Sequence, residues 1–315
     1  MSDDGRTPVP LRVSRLAKQY AGGCGVKAID FAVQPGSVTG FIGVNGAGKS
    51  TTLKCVMGLT EPDAGEIEIF GEPATFETRQ KLGFLPEERG LAPRDRARDA
   101  IAFQAQLKGL ERADAYARAD GLLERVGLGP RRYARVGELS KGNAQRVQIL
   151  CAIAHDPQLL ILDEPFSGLD PVAQAEMQSL FDEHRARGGS ILFSTHGMSV
   201  AERLCDQVVI ISRGCTVFEG PVADAAAQAP HGAYVTCSDD AGLIAVADQL
   251  GGAAQPFPGK MGQAMRWRVL LPSHVPYPAL LRAMGERQLA IQGFEPIQAD
   301  LEGAFWSLAA EREAA

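Results

Sequence analysis

Apolar and polar positions along the chain fall into short segments of different period. Residues 11–16 and 26–33 alternate apolar and polar side chains, which predicts two half-buried antiparallel strands. Residues 37–42 form a more continuously apolar strand that runs into a glycine-rich turn, with a helix predicted from about 49 to 58. Short strands are expected at 66–70 and 82–85. From about 96 to 128 Ala, Arg, Leu and Asp dominate, and Ile101, Phe103, Leu107, Leu122, Leu123 and Val126 anchor a helical insert broken near Gly109. Residues 145–154 are apolar on nearly every side, the pattern of a buried helix.

Beyond that helix, strands at 159–162, 190–193 and 208–211 alternate with helices at 171–187 and 198–205. The first of these two helices puts Ala173, Met177, Leu180, Phe181 and His184 on one face. Asp170 and Pro171 mark its start, and Gly188 and Gly189 its stop. Such alternation implies a parallel sheet covered on both faces. After Gly220 a small-residue stretch punctuated by Pro and Gly places a boundary near Pro230. The tail reads as mixed α+β, with strands at 233–236, 265–271 and 288–294 and helices at 241–250, 277–287 and 301–311. The expected organisation is a disordered terminus over 1–8, an α/β domain over 9–228 with its helical insert at about 91–137, and a small α+β domain over 232–315.

Composition narrows the function classes. The 315 residues are 45% hydrophobic and 22% charged, with a net charge of -6. A chain built to neutralise a phosphate backbone usually carries a basic excess, so no nucleic-acid partner is expected. The opening MSDDGRTPVP lacks the basic and apolar regions of a secretory signal. The longest oily segment, 147–162, is interrupted by His155, Asp156 and Pro157, short of the roughly 18 apolar residues that a membrane span requires. The six cysteines show no CxxC spacing, which fits a reducing, cytoplasmic setting.

Two motifs carry chemistry. Gly43-Val44-Asn45-Gly46-Ala47-Gly48-Lys49-Ser50-Thr51 fits G-x-x-x-x-G-K-[ST] between a predicted strand and a predicted helix. Glycines let the backbone curl so that successive N–H groups face phosphate oxygens, and the helix N-terminus adds partial positive charge. Lys49 is expected to neutralise the β- and γ-phosphates, and Ser50 to hold Mg2+. The second motif, Leu159-Leu160-Ile161-Leu162-Asp163-Glu164-Pro165, is an aliphatic strand that ends in two acids at the ligand-binding edge of a parallel sheet. Asp163 is expected to hold Mg2+ and Glu164 to polarise the attacking water.

Between these motifs, Leu139-Ser140-Lys141-Gly142-Asn143-Ala144-Gln145-Arg146 resembles the LSGGQ signature of ABC ATPases, with Lys141 and Asn143 replacing a glycine and the glutamine. Ser167-Gly168-Leu169-Asp170 resembles that family's D-loop, and Ser194-Thr195-His196 its switch-histidine motif. The resemblance covers residues 9–225. It implies a P-loop ABC ATPase fold with an N-terminal antiparallel subdomain, and Tyr20 as the aromatic ring under adenine. It also implies ATP as ligand, Ser140 and Gly142 facing ATP held by a second subunit, and His196 at the γ-phosphate. Glu87 stands where the family has glutamine, with an oxygen able to reach Mg2+. The LPEERGL wording and Phe305-Trp306 look like the ABC-2-type exporter subgroup, although Phe305 and Trp306 read first as packed core.

The implied protein is the ATP-hydrolysing subunit of a transporter, pairing with itself or a related ATPase. It would lie on the inner face of the membrane through a permease on another polypeptide. Two rival readings are a soluble ABC ATPase acting on ribosomes or DNA, and a nucleotide-gated regulatory module.

Overall fold

The computed structural model describes residues 8–22, 24–88, 90–257 and 266–311. Apart from Pro8, the expected disordered terminus lies outside these residues. The chain divides into two compact units, 1–221 and 222–315.

The first unit runs β1 (Leu11–Gln19), β2 (Gly25–Val33), β3 (Val38–Ile42), α1 (Lys49–Val56), β4 (Ala64–Ile69), β5 (Glu72–Pro73), α2 (Phe76–Gln80) and β6 (Leu82–Leu85). It continues with α3 (Ala97–Leu107), α4 (Arg112–Arg125), α5 (Lys141–Ile153), β7 (Leu159–Asp163), α6 (Pro171–Ala186), β8 (Ser190–Thr195), α7 (Met198–Leu204), β9 (Gln207–Ser212) and β10 (Cys215–Pro221). Its strands form one ten-stranded sheet in the order β5-β4-β1-β2-β10-β9-β3-β8-β7-β6.

Strands β9, β3, β8, β7 and β6 run parallel. Every residue of β3, β7 and β8 is buried, as a strand covered on both faces requires. At the other end β1 pairs antiparallel with β2 and β4, Leu11 facing Val33 and Ile69, and its buried residues alternate along much of the strand. The two halves meet where Cys215 of β10 pairs with Ala28 of β2.

Strand β10 was not predicted. It has no fully buried residue and ends in proline, so its apolar signal is weak. The turn before it braces the phosphate loop. Gly214 donates its N–H to the Ala47 carbonyl at 3.1 Å and accepts from Lys27 N at 2.7 Å. One core cluster holds Phe41, Leu53, Ile161 and Leu192. Another holds Ile101, Leu123, Leu150, Leu162 and Phe193, which ties the helical insert to the sheet. Within the insert, Arg98 grips Asp120 with two hydrogen bonds of 2.7 and 2.6 Å and lies over the Tyr116 ring.

The second unit comprises α8 (Val222–Ala226), β11 (Gly232–Cys237), α9 (Asp240–Gln249), β12 (Ala253–Phe257), β13 (Arg266–Leu270), α10 (Tyr277–Glu286), β14 (Ile291–Pro296) and α11 (Leu301–Glu311). Its sheet has the antiparallel order β12-β13-β11-β14. With one helix between β11 and β12 and another between β13 and β14, this is the ferredoxin-like βαββαβ arrangement. Val235, Leu243, Val246, Val269, Leu280 and Met284 form its core. The unit begins at Val222, ahead of the expected change near Pro230, because α8 packs against α11. Phe305 is buried, but Trp306 is 39% exposed, which corrects its reading as packed core. Its ring sits edge-on to Phe257 at 6.0 Å instead.

Candidate functional site

Fully buried β3 delivers the chain to Gly43, where the phosphate loop begins. Gly46 and Gly48 take positive φ values of 82° and 109°. At Gly48 a Cβ would stand 2.4 Å from Val26 Cγ1, so the loop passes closer to β2 than any side chain permits. Lys49 opens α1 and is 7% exposed, with its ammonium donating to the Gly43 carbonyl at 2.7 Å. Burial pushes its pKa down, and the carboxylates of Glu164, Asp163 and Glu87 oppose that shift. The ammonium is thus folded against its own loop.

Ser50 donates its hydroxyl to Glu87 Oε2 at 3.2 Å, which brings the residue standing in place of glutamine beside the loop's serine. The segment that carries Glu87 is tied down from α5: the Gln148 amide donates to the carbonyls of Pro86 and Glu88 at 3.4 and 3.2 Å.

Strand β7 ends at Asp163, which is 3% exposed and pairs with Ser194 of β8 across the parallel ladder. The Ser194 hydroxyl donates to Asp163 Oδ1. Glu164 follows in a left-handed conformation with φ 51°. Its Oε1 lies 3.9 Å from Lys49 Nζ and 2.8 Å from His196 Nδ1. Three distant stretches of sequence therefore converge on one carboxylate.

A cleft of about 300 Å³ opens on Lys49, Ser50, Glu87 and Glu164, while Asp163 and His196 are not among its lining residues. It is lined by Tyr20, Asn45, Gly46, Gly48, Lys49, Ser50, Thr51, Glu87 and Glu164, and also by Cys24 and Gly25. The last two were missed by sequence reasoning. They sit beside Tyr20 because Tyr20 N donates to the Cys24 carbonyl at 2.9 Å, a closure readable only from the β1–β2 hairpin. Gly43 and Ala47 are not among the lining residues. Gly43 serves the site through its carbonyl, and Ala47 is buried.

Ser140 and Gly142 do not join this cleft within the chain. Ser140 caps α5 by accepting from Asn143 N, and Gly142 lies close to the Gly168 carbonyl. Lys141 lays its aliphatic stem beside Gly168. Asp170 caps α6, accepting from Ala173 N at 2.9 Å.

No group of three or more His, Cys, Asp or Glu side chains among the described residues is placed to hold a metal alone. Mg2+ shared with substrate phosphates needs only one or two protein carboxylates, and the oxygens of Ser50, Glu87 and Asp163 suit so hard a cation. A glycine loop on a helix N-terminus, a buried lysine and an acid pair at the edge of a parallel sheet define a P-loop nucleotide-binding protein.

The comparisons narrow the class. The ABC transporter family profile matches residues 26–167. The ABC transporter ATP-binding protein YhaQ of Bacillus subtilis is 39% identical over 210 residues, 67% of this chain and 70% of that protein. The Nod factor export ATP-binding protein I of Burkholderia pseudomallei is 40% identical over 214 residues, with the same two coverages. A solved ATP-binding subunit of an ABC transporter aligns with TM-score 0.65 at 35% identity, covering 69% of this chain and 92% of its own. The cbiO1 protein of Clostridium perfringens, part of the cbiONQ transporter complex, aligns with TM-score 0.59 at 28% identity, covering 68% and 89%. The chain belongs to the ABC transporter ATP-binding proteins. Among its described residues no helix is long and apolar enough to cross a membrane.

Proposed function

We propose that this chain hydrolyses ATP to power transport through a separate membrane permease, and that it acts in export. One observation carries the reading: Glu164 meets Lys49 and His196 at the mouth of the phosphate loop. A carboxylate beside the γ-phosphate position is suited to accept a proton from the attacking water, and His196 is placed to steady that carboxylate. Lys49 would exchange its carbonyl partner for phosphate oxygens, and Tyr20 would stack on the base. Ser50, Asp163 and Glu87 would hold Mg2+, which supplies charge neutralisation at the phosphates.

Ser140 and Gly142 open α5 without lining the chain's own cleft, which suits them to ATP held by a second subunit, either a copy or a related ATPase. ATP then lies within the interface, and its cleavage loosens the pair. Export is supported by the likeness to the Nod factor export protein, and a membrane partner, which would hold the chain at the inner face, by the likeness to cbiO1, a component of a transporter complex.

Glu164→Gln tests the reading. The variant should retain ATP binding, lose about 10²–10⁴-fold in phosphate release and accumulate as a dimer with MgATP. Normal turnover would remove Glu164 from the role.

A further inference from the structure

The carboxylate at the centre of the site stands on a backbone that needs support. Glu164 is a Cβ-bearing residue at φ 51°, in a region that such residues seldom adopt. Its N–H donates to two acceptors, both on Ser194: the hydroxyl oxygen at 3.1 Å and the carbonyl oxygen at 3.3 Å. The same hydroxyl donates its single proton to Asp163 Oδ1.

A serine hydroxyl has one proton and two lone pairs. With the proton committed to Asp163, a lone pair is left for Glu164 N–H. Ser194 is 0% exposed, so no water competes for either bond. The strand register makes this bridge possible, since Asp163 and Ser194 are partners in the parallel ladder. One side chain thus joins both acids of the motif, and the turn at Glu164 is held on the strand that leads into His196.

We propose that Ser194 is a positioning residue for hydrolysis, its hydroxyl locking the left-handed turn that aims the Glu164 carboxylate. This rests on the reading of Glu164 as the group that takes the proton from water. It assigns to Ser194 a role that the switch-histidine motif does not specify, and it acts on turnover rather than on nucleotide binding.

The test uses the full chain with Ser194→Ala and Ser194→Thr, each also in the Glu164→Gln background. Ser194→Ala should lower kcat about ten- to a hundredfold, the scale of a buried donor deprived of a partner, with KM and ATP affinity within about twofold. Ser194→Thr keeps the hydroxyl and should restore kcat to within about fivefold of the unsubstituted chain. In Glu164→Gln, adding Ser194→Ala should cause no further loss, because the group it serves is already gone. Independently of turnover, amide hydrogen exchange at Glu164 should quicken in Ser194→Ala and not in Ser194→Thr.

If Ser194→Ala does not fold, Ser194→Cys offers the same shape with weaker hydrogen bonding and is compared with Ser194→Thr in its place. The proposal is overturned by unchanged kcat in Ser194→Ala, by a loss confined to ATP affinity, or by an equal further loss in the Glu164→Gln background. Normal turnover in Glu164→Gln itself would sink the reading of Glu164. A dead Glu164→Gln beside an unimpaired Ser194→Ala would sink the Ser194 assignment alone.

Discussion

Gly48 is the residue with least freedom in the phosphate loop, because its φ of 109° and the nearness of Val26 each exclude a side chain. Gly48→Ala should destabilise the first unit by about 1–3 kcal/mol, the usual cost of a strained left-handed residue, as read by urea unfolding. Lys49 is held by carbonyls in this structure and stands ready to trade them for phosphate. Lys49→Ala should weaken ATP binding about ten- to a hundredfold in a nucleotide titration, since charged hydrogen bonds to phosphate are among the stronger ones. Tyr20→Ala should weaken it by about 1–3 kcal/mol if the ring stacks on the base, and much less for a nucleotide that lacks a base. Lys49, Ser50, Asp163 and Glu164 were legible as a site from sequence, because the spacing of the phosphate loop and the acids at a strand end each have a direct physical meaning. The hydroxyl of Ser194 was not, since its value lies in a cross-strand register that no local spacing encodes.

Among the elements, α5 links two functions: its first turn carries Ser140 and Gly142, and Gln148 further along holds the Glu87 segment. His155 lies just past the end of this helix, with Nε2 3.2 Å from the Leu82 carbonyl of β6. Burial, aided by Lys108, pushes its pKa down to about 4 from an ordinary 6.5. The unfolded chain therefore takes the proton first as pH falls. The stability linked to neutral His155 is fully present above about pH 6.5 and is lost progressively down to about pH 4. The loss amounts to at most about 3 kcal/mol. His155→Gln should flatten that part of the pH dependence, read as the difference between the two proteins in urea unfolding at pH 7 and pH 5.

In the insert, the paired bonds of Arg98 to Asp120 join α3 to α4 and hold the Asp120 carboxyl below its usual range. Asp120→Ala should quicken amide exchange across 97–125 without altering ATP affinity. The breadth of this insert was readable from its composition. The existence of β10 was not, because a half-buried strand ending in proline sends no periodic signal.

At the scale of the whole molecule, the residues of the site lie in the first unit and the second has a core of its own. A fragment ending at Pro221 is expected to bind ATP as the full chain does, which calorimetry can check. Any loss of pairing or of permease association in that fragment would trace to the second unit.

Sequence alone determined the nucleotide chemistry and the parallel core, because phosphate recognition uses consecutive backbone groups and buried strands must be apolar throughout. It also marked a second α+β region, though Pro256 and the flanking glycines disguised β12 as loop. Only the tertiary structure decided that β10 would bridge the two halves of the sheet and that Cys24 would line the cleft. It alone showed that Glu87 would meet Ser50, that Ser140 would not line its own chain's cleft, and that one serine would tie both acids together. Each of these depends on which distant segments become neighbours, and that is set by strand order and register rather than by any local pattern.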